Sequence, residues 1–376
     1  MGEEFKDDIF IENTDELYNL GYSSNKEGRP IYENVKVTKK DFSIFELFRK
    51  FKAGKLILEV DFQRNVVWNN KQQSELIESI LMGLPLPIFY FKQQDNSTYV
   101  VVDGKQRLST LFLFLDNGFQ LKNLKILDFL NGKKFKDLDN QYGIYQSQLE
   151  DYQVYSHVIL PPTPDRIVFD IFERVNRGGT QLNKQEIRNA LYHGEGLGMI
   201  NAITTTEEFQ RATRIDNKKD KRMKGSYLLT RFFSFYLLYN NYFEEGKQYQ
   251  YTGDIDLLIE RTLIFLNKSD ISILNKLKET AIESIRKAYF LCGNGCFRKG
   301  MIASNPINMN IFETCMYLMT LIEDNNSLLK IKDVFYETLC SQKFLECIGD
   351  SRDGIYKVNL RFQMMNEIAR RNSDDF

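Results

Sequence analysis

Tyr99-Val100-Val101-Val102 runs without a polar break into Asp103-Gly104, and from Gln106 the sequence QRLSTLFLFL places its apolar residues at helical spacing. An unbroken apolar run of this kind reads as a strand covered on both faces. A buried strand, a tight glycine turn and a helix therefore follow one another directly, which requires a layered arrangement of helices and sheet. The turn also has chemistry. The first N–H groups of a helix lack intrahelical partners and carry partial positive charge, Gly104 lets a ligand oxygen approach the backbone, and Lys105 and Arg107 add a point charge and a bidentate cation. Asp103, Gly104, Lys105, Gln106 and Arg107 form a candidate phosphate cradle. The same letters have a plainer reading, because Asp103 and Gln106 are spaced as a capping pair that would only start the helix. Spacing alone does not separate the two.

The pattern around the turn is mixed. Phe42, Ile44, Phe45, Phe48 and Phe51 predict an amphipathic helix with a start signal at Thr38 and a stop at Gly54, and a short strand follows at 56–58. Residues 71–82 predict a second helix, ended by Gly83, Pro85 and Pro87 before the strand IFYF, and a further strand is expected at 152–160. Beyond Asp165 strand signals fade. Helices are expected at 165–175, 183–193, 226–243, 252–266, 270–290, 308–323, 328–342 and 356–371, the second opened by a capping box of Asn183 and Glu186. The expected class is α+β, with a loosely ordered polar arm over 1–40, an α/β domain over 41–162 and a helical domain over 163–376.

Composition narrows the function classes. The 376 residues carry a net charge of −1 with 43% hydrophobic and 13% aromatic residues, which predicts a folded, aromatic-rich interior and about two domains. No apolar run approaches the roughly 20 residues of a membrane span, and no membrane partner is expected. The opening MGEEFKDDIF is acidic, so the chain is expected to begin at Met1 and to remain in the cytoplasm. Five cysteines, an odd number, read as reduced thiols, and the Cys292/Cys296 pair lacks the companions a zinc site needs. His157 and His193 stand far apart in the sequence, which excludes an HNH or zinc-hydrolase site, and no GxxxxGK[ST] occurs.

DGKQRLSTL resembles the DGQQRLTTL signature of the GmrSD-type restriction family, whose N-terminal domain is similar to the ParB/sulfiredoxin fold. Two further blocks fit the same family: DFQRNVVWNNKQQSELIESILMGLPLPIFYF, with Gln63, Arg64 and Trp68, and IFERVNRGGTQLNKQEIRNALYHG, with Asn176, Gly179, Leu182, Glu186 and Arg188. The resemblance covers 42 to about 195 and implies a ParB/sulfiredoxin-like domain that binds and hydrolyses a nucleoside triphosphate, coupled to recognition or cleavage of foreign, often modified, DNA. On this resemblance Arg107 and Lys105 hold phosphates, Gly104 admits them and Asp103 orders Mg²⁺, with Asp103 and Arg107 as the catalytic pair. Gln106, Gln63, Arg64 and Asn176 complete the nucleotide site, while Arg174 and Arg177 line the same groove, Arg177 toward DNA.

Two departures touch the chemistry. Lys105 stands where the family has Gln, which adds charge and removes an amide acceptor, so it bears on hydrolysis more than on binding. The HNH domain that many relatives carry is missing, so cleavage would need a partner, an HNH nuclease or another defence protein encoded nearby. A separate basic run from Arg211 to Lys224 holds seven Lys and Arg against two Asp, and it nominates Lys218, Lys219, Lys221 and Arg222 for DNA phosphates. A solvated loop is its plainer reading. The expected function is a nucleotide-binding, Mg-dependent NTP-hydrolysing component of a restriction or antiphage system acting on DNA. The alternative is a non-catalytic DNA-binding or partner-recruiting module that keeps the fold.

Overall fold

The computed structural model describes residues 11–12, 35–58, 68–94, 97–139, 142–163, 167–168, 171, 174, 183–220, 222–243, 250–349 and 353–371. The chain divides into one unit of Ser24–Leu182 and another made of Met1–Ser23 with Asn183–Phe376. Strand β1 (Ile11–Glu12) belongs to the latter.

In Ser24–Leu182, β2 (Lys36–Ser43), β3 (Leu56–Ile57), β4 (Phe89–Gln93), β5 (Tyr99–Asp103) and β6 (Gln153–Leu160) form a mixed sheet in the order β2-β6-β4-β5-β3. β2 pairs antiparallel with β6, β6 parallel with β4, β4 antiparallel with β5, and β5 parallel with β3. The apolar run Val100–Val102 is buried, as a strand covered on both faces must be. Helices α1 (Ile44–Lys52), α2 (Asn70–Leu81), α3 (Lys105–Leu115) and α4 (Gly143–Asp151) complete the unit. Leu108, Leu111, Phe112 and Leu115 recur at helical spacing on α3 and enter one core with Phe42, Phe91, Val101, Val154 and Ile77. Phe51 stacks on Phe112 with ring centroids 5.0 Å apart. The capping box Asn69/Gln72 starts α2, and Glu78 on its buried face accepts the backbone N–H of Ile126 and Leu127 at 2.9 Å, pinning the segment after α3.

The mixed sheet followed by helices is the α+β class that the sequence predicts. Two local readings change. Strand β2 begins at Lys36, inside the segment read as an arm, and Thr38 lies within that strand. The cap of α1 is Ser43, whose hydroxyl accepts from the Glu46 N–H at 3.1 Å. The reason is physical: KVTKKD is exposed along a sheet edge and has no buried face to impose an alternating pattern, so only its pairing with β6 makes it a strand. The helix expected at 165–175 lies for the most part outside the described residues.

The other unit holds α5 (Lys184–Leu191), α6 (Glu195–Thr204), α7 (Glu207–Thr213), α8 (Lys224–Tyr239), α9 (Ile255–Lys268), α10 (Ile271–Cys292), β7 (Ile307–Asn308), α11 (Met309–Leu321), α12 (Asn325–Cys340), α13 (Gln342–Cys347) and α14 (Ile355–Arg371). β1 pairs with β7, parallel, over two residues each, too short a ladder to leave a periodic trace in sequence. α8 is buried on nearly every side, which is why its aromatics recur around the whole helix. All five cysteines are free thiols. Among the described residues no group of His, Cys, Asp and Glu is placed to hold a metal ion, and no helix is long and apolar enough to cross a membrane.

Four buried charges cross-link this unit. Arg231 on α8 donates to Glu313 on α11 and to Asp353, both at 2.7 Å, and Arg361 on α14 donates to Glu313 at 2.5 Å. Burial opposes the charge on Arg231, but Asp353 and Glu313 outweigh it and hold its pKa well above the ordinary value. Removing one partner strands the opposite charge in the core. Arg231→Met should therefore destabilise the protein by about 3–5 kcal/mol, whereas Lys52→Ala, which breaks an exposed pair with Asp116, should cost about 0–1 kcal/mol. Urea unfolding followed by circular dichroism measures both, and equal losses would show that the buried quartet has no special weight.

Candidate functional site

The motif residues stand where β5 ends and α3 begins. Asp103 is the last residue of the strand, and Gly104 follows at φ 97°, in the left-handed region that glycine enters without strain. A Cβ at this position would sit 2.2 Å from the Phe89 ring, so the turn excludes every side chain on two grounds. Gly104 is also the N-cap, a residue with no side chain to accept from the first turn of α3. Asp103 consequently does not start the helix in the manner of the capping pair.

Its carboxylate serves another partner. Arg107 lies one helical turn along α3, and its Nη2 donates to Asp103 Oδ2 at 2.7 Å. The same guanidinium donates through Nη1 to the Pro87 carbonyl and through Nη2 to the Ile88 carbonyl at 3.5 Å, while its centre lies 4.0 Å from the Phe89 ring centroid. Burial lowers the Arg107 pKa, and the Asp103 charge and hydrogen bond oppose that shift. The loop from α2 to β4 is held a second time by Tyr152, whose hydroxyl donates to the Leu84 carbonyl at 2.8 Å and accepts from the Leu86 N–H at 3.1 Å. Lys105 and Gln106 lie half-buried on the first turn of α3.

Arg107 was expected to extend from the first helical turn toward a phosphate. In the structure its two terminal nitrogens are engaged by protein oxygens, and its centre lies over the Phe89 ring. The signal was present: Asp103 and Arg107 have the four-residue spacing of a helical ion pair. Nothing in sequence indicated Pro87, Ile88 or Tyr152, because a backbone carbonyl has no letter of its own.

Gln63, Arg64, Asn176, Arg177 and Lys221 lie outside the described residues, and Arg174 is exposed. Lys218 and Lys219 are exposed on the turn after α7. Arg222 instead pairs with Glu186 at 3.2 Å, and its carbonyl accepts from Asn183 at 2.9 Å, so it braces the capping box that opens α5. Arg211 lies over the Tyr289 ring, Arg214 donates to the Ala303 carbonyl and Lys224 is buried. Of the run, Arg222 and Lys224 are thus drawn into structural contacts, while Arg211, Arg214, Lys218 and Lys219 are exposed. Arg188 is also structural here. It is buried and pairs with Asp256, which Lys184 contacts at 2.6 Å. Burial would raise the Asp256 pKa, yet Arg188 and Lys184 outweigh it and hold it below the usual carboxylate range.

Residues 44–193 match the family model described as GmrSD restriction endonuclease, N-terminal domain. The match takes in all three sequence blocks, and the resemblance carried by DGKQRLSTL is borne out over that span. No curated protein and no solved structure matches the chain.

Because the guanidinium joins two backbone carbonyls, an aromatic ring and a carboxylate, Arg107→Ala should lower unfolding free energy by about 1.5–3 kcal/mol and speed amide exchange in 84–90. Asp103→Asn keeps the carbonyl and ring contacts and should lose less. Urea unfolding and hydrogen exchange check both, and an Arg107→Ala protein as stable as the parent would mean that these contacts contribute nothing to the fold.

Proposed function

We propose that this chain is a nucleotide-binding, NTP-hydrolysing component of a restriction or antiphage defence system acting on DNA, with the nucleotide held at Asp103–Arg107. The observation that carries the reading is the strand, left-handed glycine and helix arrangement at Gly104, with two cations on the first turn of the helix. The match of 44–193 to the GmrSD N-terminal domain supports the restriction role and the action on DNA.

The donor set fits a polyphosphate. Backbone N–H groups of the first turn of α3, the Lys105 ammonium and the Arg107 fork hold its oxygens, and phosphoryl transfer depends chiefly on such positioning and charge neutralisation. Asp103 would hold Mg²⁺ together with the phosphates, and the ion would supply further charge neutralisation. In the structure Asp103 and Arg107 satisfy one another, so binding is an exchange. Arg107 trades Pro87, Ile88 and Asp103 for phosphate oxygens, which frees the Asp103 carboxylate. The exchange also releases one of the two holds on the loop between α2 and β4. Lys218 and Lys219 contribute to DNA contact, and strand cleavage belongs to a partner such as an HNH nuclease.

The same geometry favours one alternative, a DNA-binding or partner-recruiting module without turnover, because the Asp103–Arg107 pair closes the site and Lys105 lacks the family's amide acceptor. Phosphate release with ATP and GTP in the presence of Mg²⁺, beside calorimetric titration of non-hydrolysable analogues, separates the two. Turnover supports the leading reading, and binding without turnover supports the alternative. Lys105→Ala should weaken analogue binding by about 10–150-fold without the stability loss of Arg107→Ala, since one charge-assisted contact contributes about 1.5–3 kcal/mol. Bound analogue should also raise exchange at 84–90 in the parent protein. No binding of either nucleotide would remove the proposal.

A further inference from the structure

From Lys36 to Lys55 the chain carries Lys36, Lys39, Lys40, Arg49, Lys50, Lys52 and Lys55 against Asp41 and Glu46, a local excess that the net charge of −1 conceals. Phe42 enters the core, so strand alternation puts Lys36 and Lys40 on its side of β2 and sends Lys39 and Asp41 to the other side, where they offset one another. On the side covered by α1 the cations converge. The Lys40 ammonium donates to the Tyr99 hydroxyl at 2.9 Å and lies 5.0 Å from the Phe42 ring centroid. The Lys50 ammonium, from α1, lies 5.9 Å from the same Phe42 ring and 5.6 Å from the Tyr99 ring. Lys55, in the turn between α1 and β3, accepts the Tyr99 N–H at its carbonyl. The side chains of Lys36, Arg49 and Lys55 are exposed and have no carboxylate partner among the described residues.

Lysines on an edge strand guard against stray pairing, and an ammonium gains from the ring beneath it. Neither effect accounts for two ammoniums over the same two rings, because like charges this close repel. Glu46, 3.4 Å from Lys50, offsets one of them, and Asp116 takes Lys52 at 2.7 Å. The excess remains. Tyr99 adds an independent sign: it is 6% exposed, its hydroxyl accepts from Lys40, and the hydroxyl proton has no acceptor among the described residues. Two ammoniums and an O–H are a donor set that fits a phosphate. We infer that this surface of β2, α1 and the following turn binds the phosphate backbone of duplex DNA, one phosphate meeting Lys40, Lys50 and the Tyr99 hydroxyl and its neighbours meeting Lys36, Arg49 and Lys55. Phe42 and Tyr99 are buried, so bases cannot stack on them, and the contact is with the backbone and indifferent to sequence. The choice of DNA rests on the action on DNA proposed above and not on nucleotide at Gly104, since Tyr99 opens β5 and Asp103 closes it.

The test follows the fluorescence anisotropy of a labelled 20-base-pair duplex with the full chain, without nucleotide, between 50 and 200 mM salt, and repeats it with labelled poly-glutamate. Lys40→Gln/Lys50→Gln should weaken duplex binding and flatten the slope of log affinity against log salt by about 0.9, the value of one phosphate contact, and Lys55→Gln should flatten it by about 0.9 on its own account. Tyr99→Phe keeps the ring and, the hydroxyl being neutral, the slope, yet should weaken binding by about 10–150-fold, the range of one hydrogen bond to a charged group. Lys122→Gln, at an exposed lysine of the same unit outside the group, should change neither. Thermal melts accompany each variant, and Lys55→Gln, at an exposed turn, reads the surface even where the double variant is unstable. Unchanged affinity and slope in Lys40→Gln/Lys50→Gln and in Lys55→Gln overturn the inference. If Lys218→Gln/Lys219→Gln then abolishes binding, the action on DNA stands without this surface, whereas a parent that binds no duplex removes both. Poly-glutamate bound more tightly than duplex at equal ionic strength assigns the surface to an acidic protein and overturns it as well.

Discussion

One guanidinium joins the pieces of the candidate site. Arg107 on α3 reaches the carbonyls of Pro87 and Ile88, the carboxylate of Asp103 and the ring of Phe89. Its position requires Gly104, because only a residue without Cβ passes the Phe89 ring at that turn. The strand end, the helix start and the loop before β4 are fixed relative to one another by this contact set. An anion that competed for Arg107 would act on all three.

The two units use charge differently. Around Arg107 the charges lie near the surface, where a ligand can exchange with them. In the helical unit Arg231, Arg361, Glu313 and Asp353 are enclosed, and their mutual compensation cross-links α8, α11 and α14. Buried pairs of this kind are costly to break and give little net stability over an apolar core, so their contribution lies in fixing which helices meet. The Arg188–Asp256–Lys184 group does the same for α5 and α9.

Much of the fold was legible. Strands at β4, β5 and β6 and helices α2, α3, α8, α9, α10, α11, α12 and α14 announce themselves by apolar periodicity, since each buries a defined face. Strand β2 and helix α4 were missed because they bury little: β2 is exposed over its first six residues, and Leu149 is the buried residue of α4. Parts of the basic run have partners that sequence does not show. Arg222 and Lys224 read as surface cations, yet a carboxylate and burial absorb them, and exposed Arg211 lies over the Tyr289 ring. Sequence counts charge and does not see its partners.

By itself the sequence determined the α+β class, the strand, glycine and helix at 99–115 and the family match over 44–193, because these depend on periodicity, on the one residue type a left-handed turn tolerates, and on contiguous motifs. Only the tertiary structure decided what those residues touch. It placed Arg107 on carbonyls rather than open to solvent, gave Asp103 a side-chain partner in place of a capping role, and aligned Lys39, His157 and Tyr90 across three strands that are far apart in the chain. Register and backbone acceptors are properties of the folded sheet, fixed by hydrogen bonds between distant segments, and no local pattern encodes them.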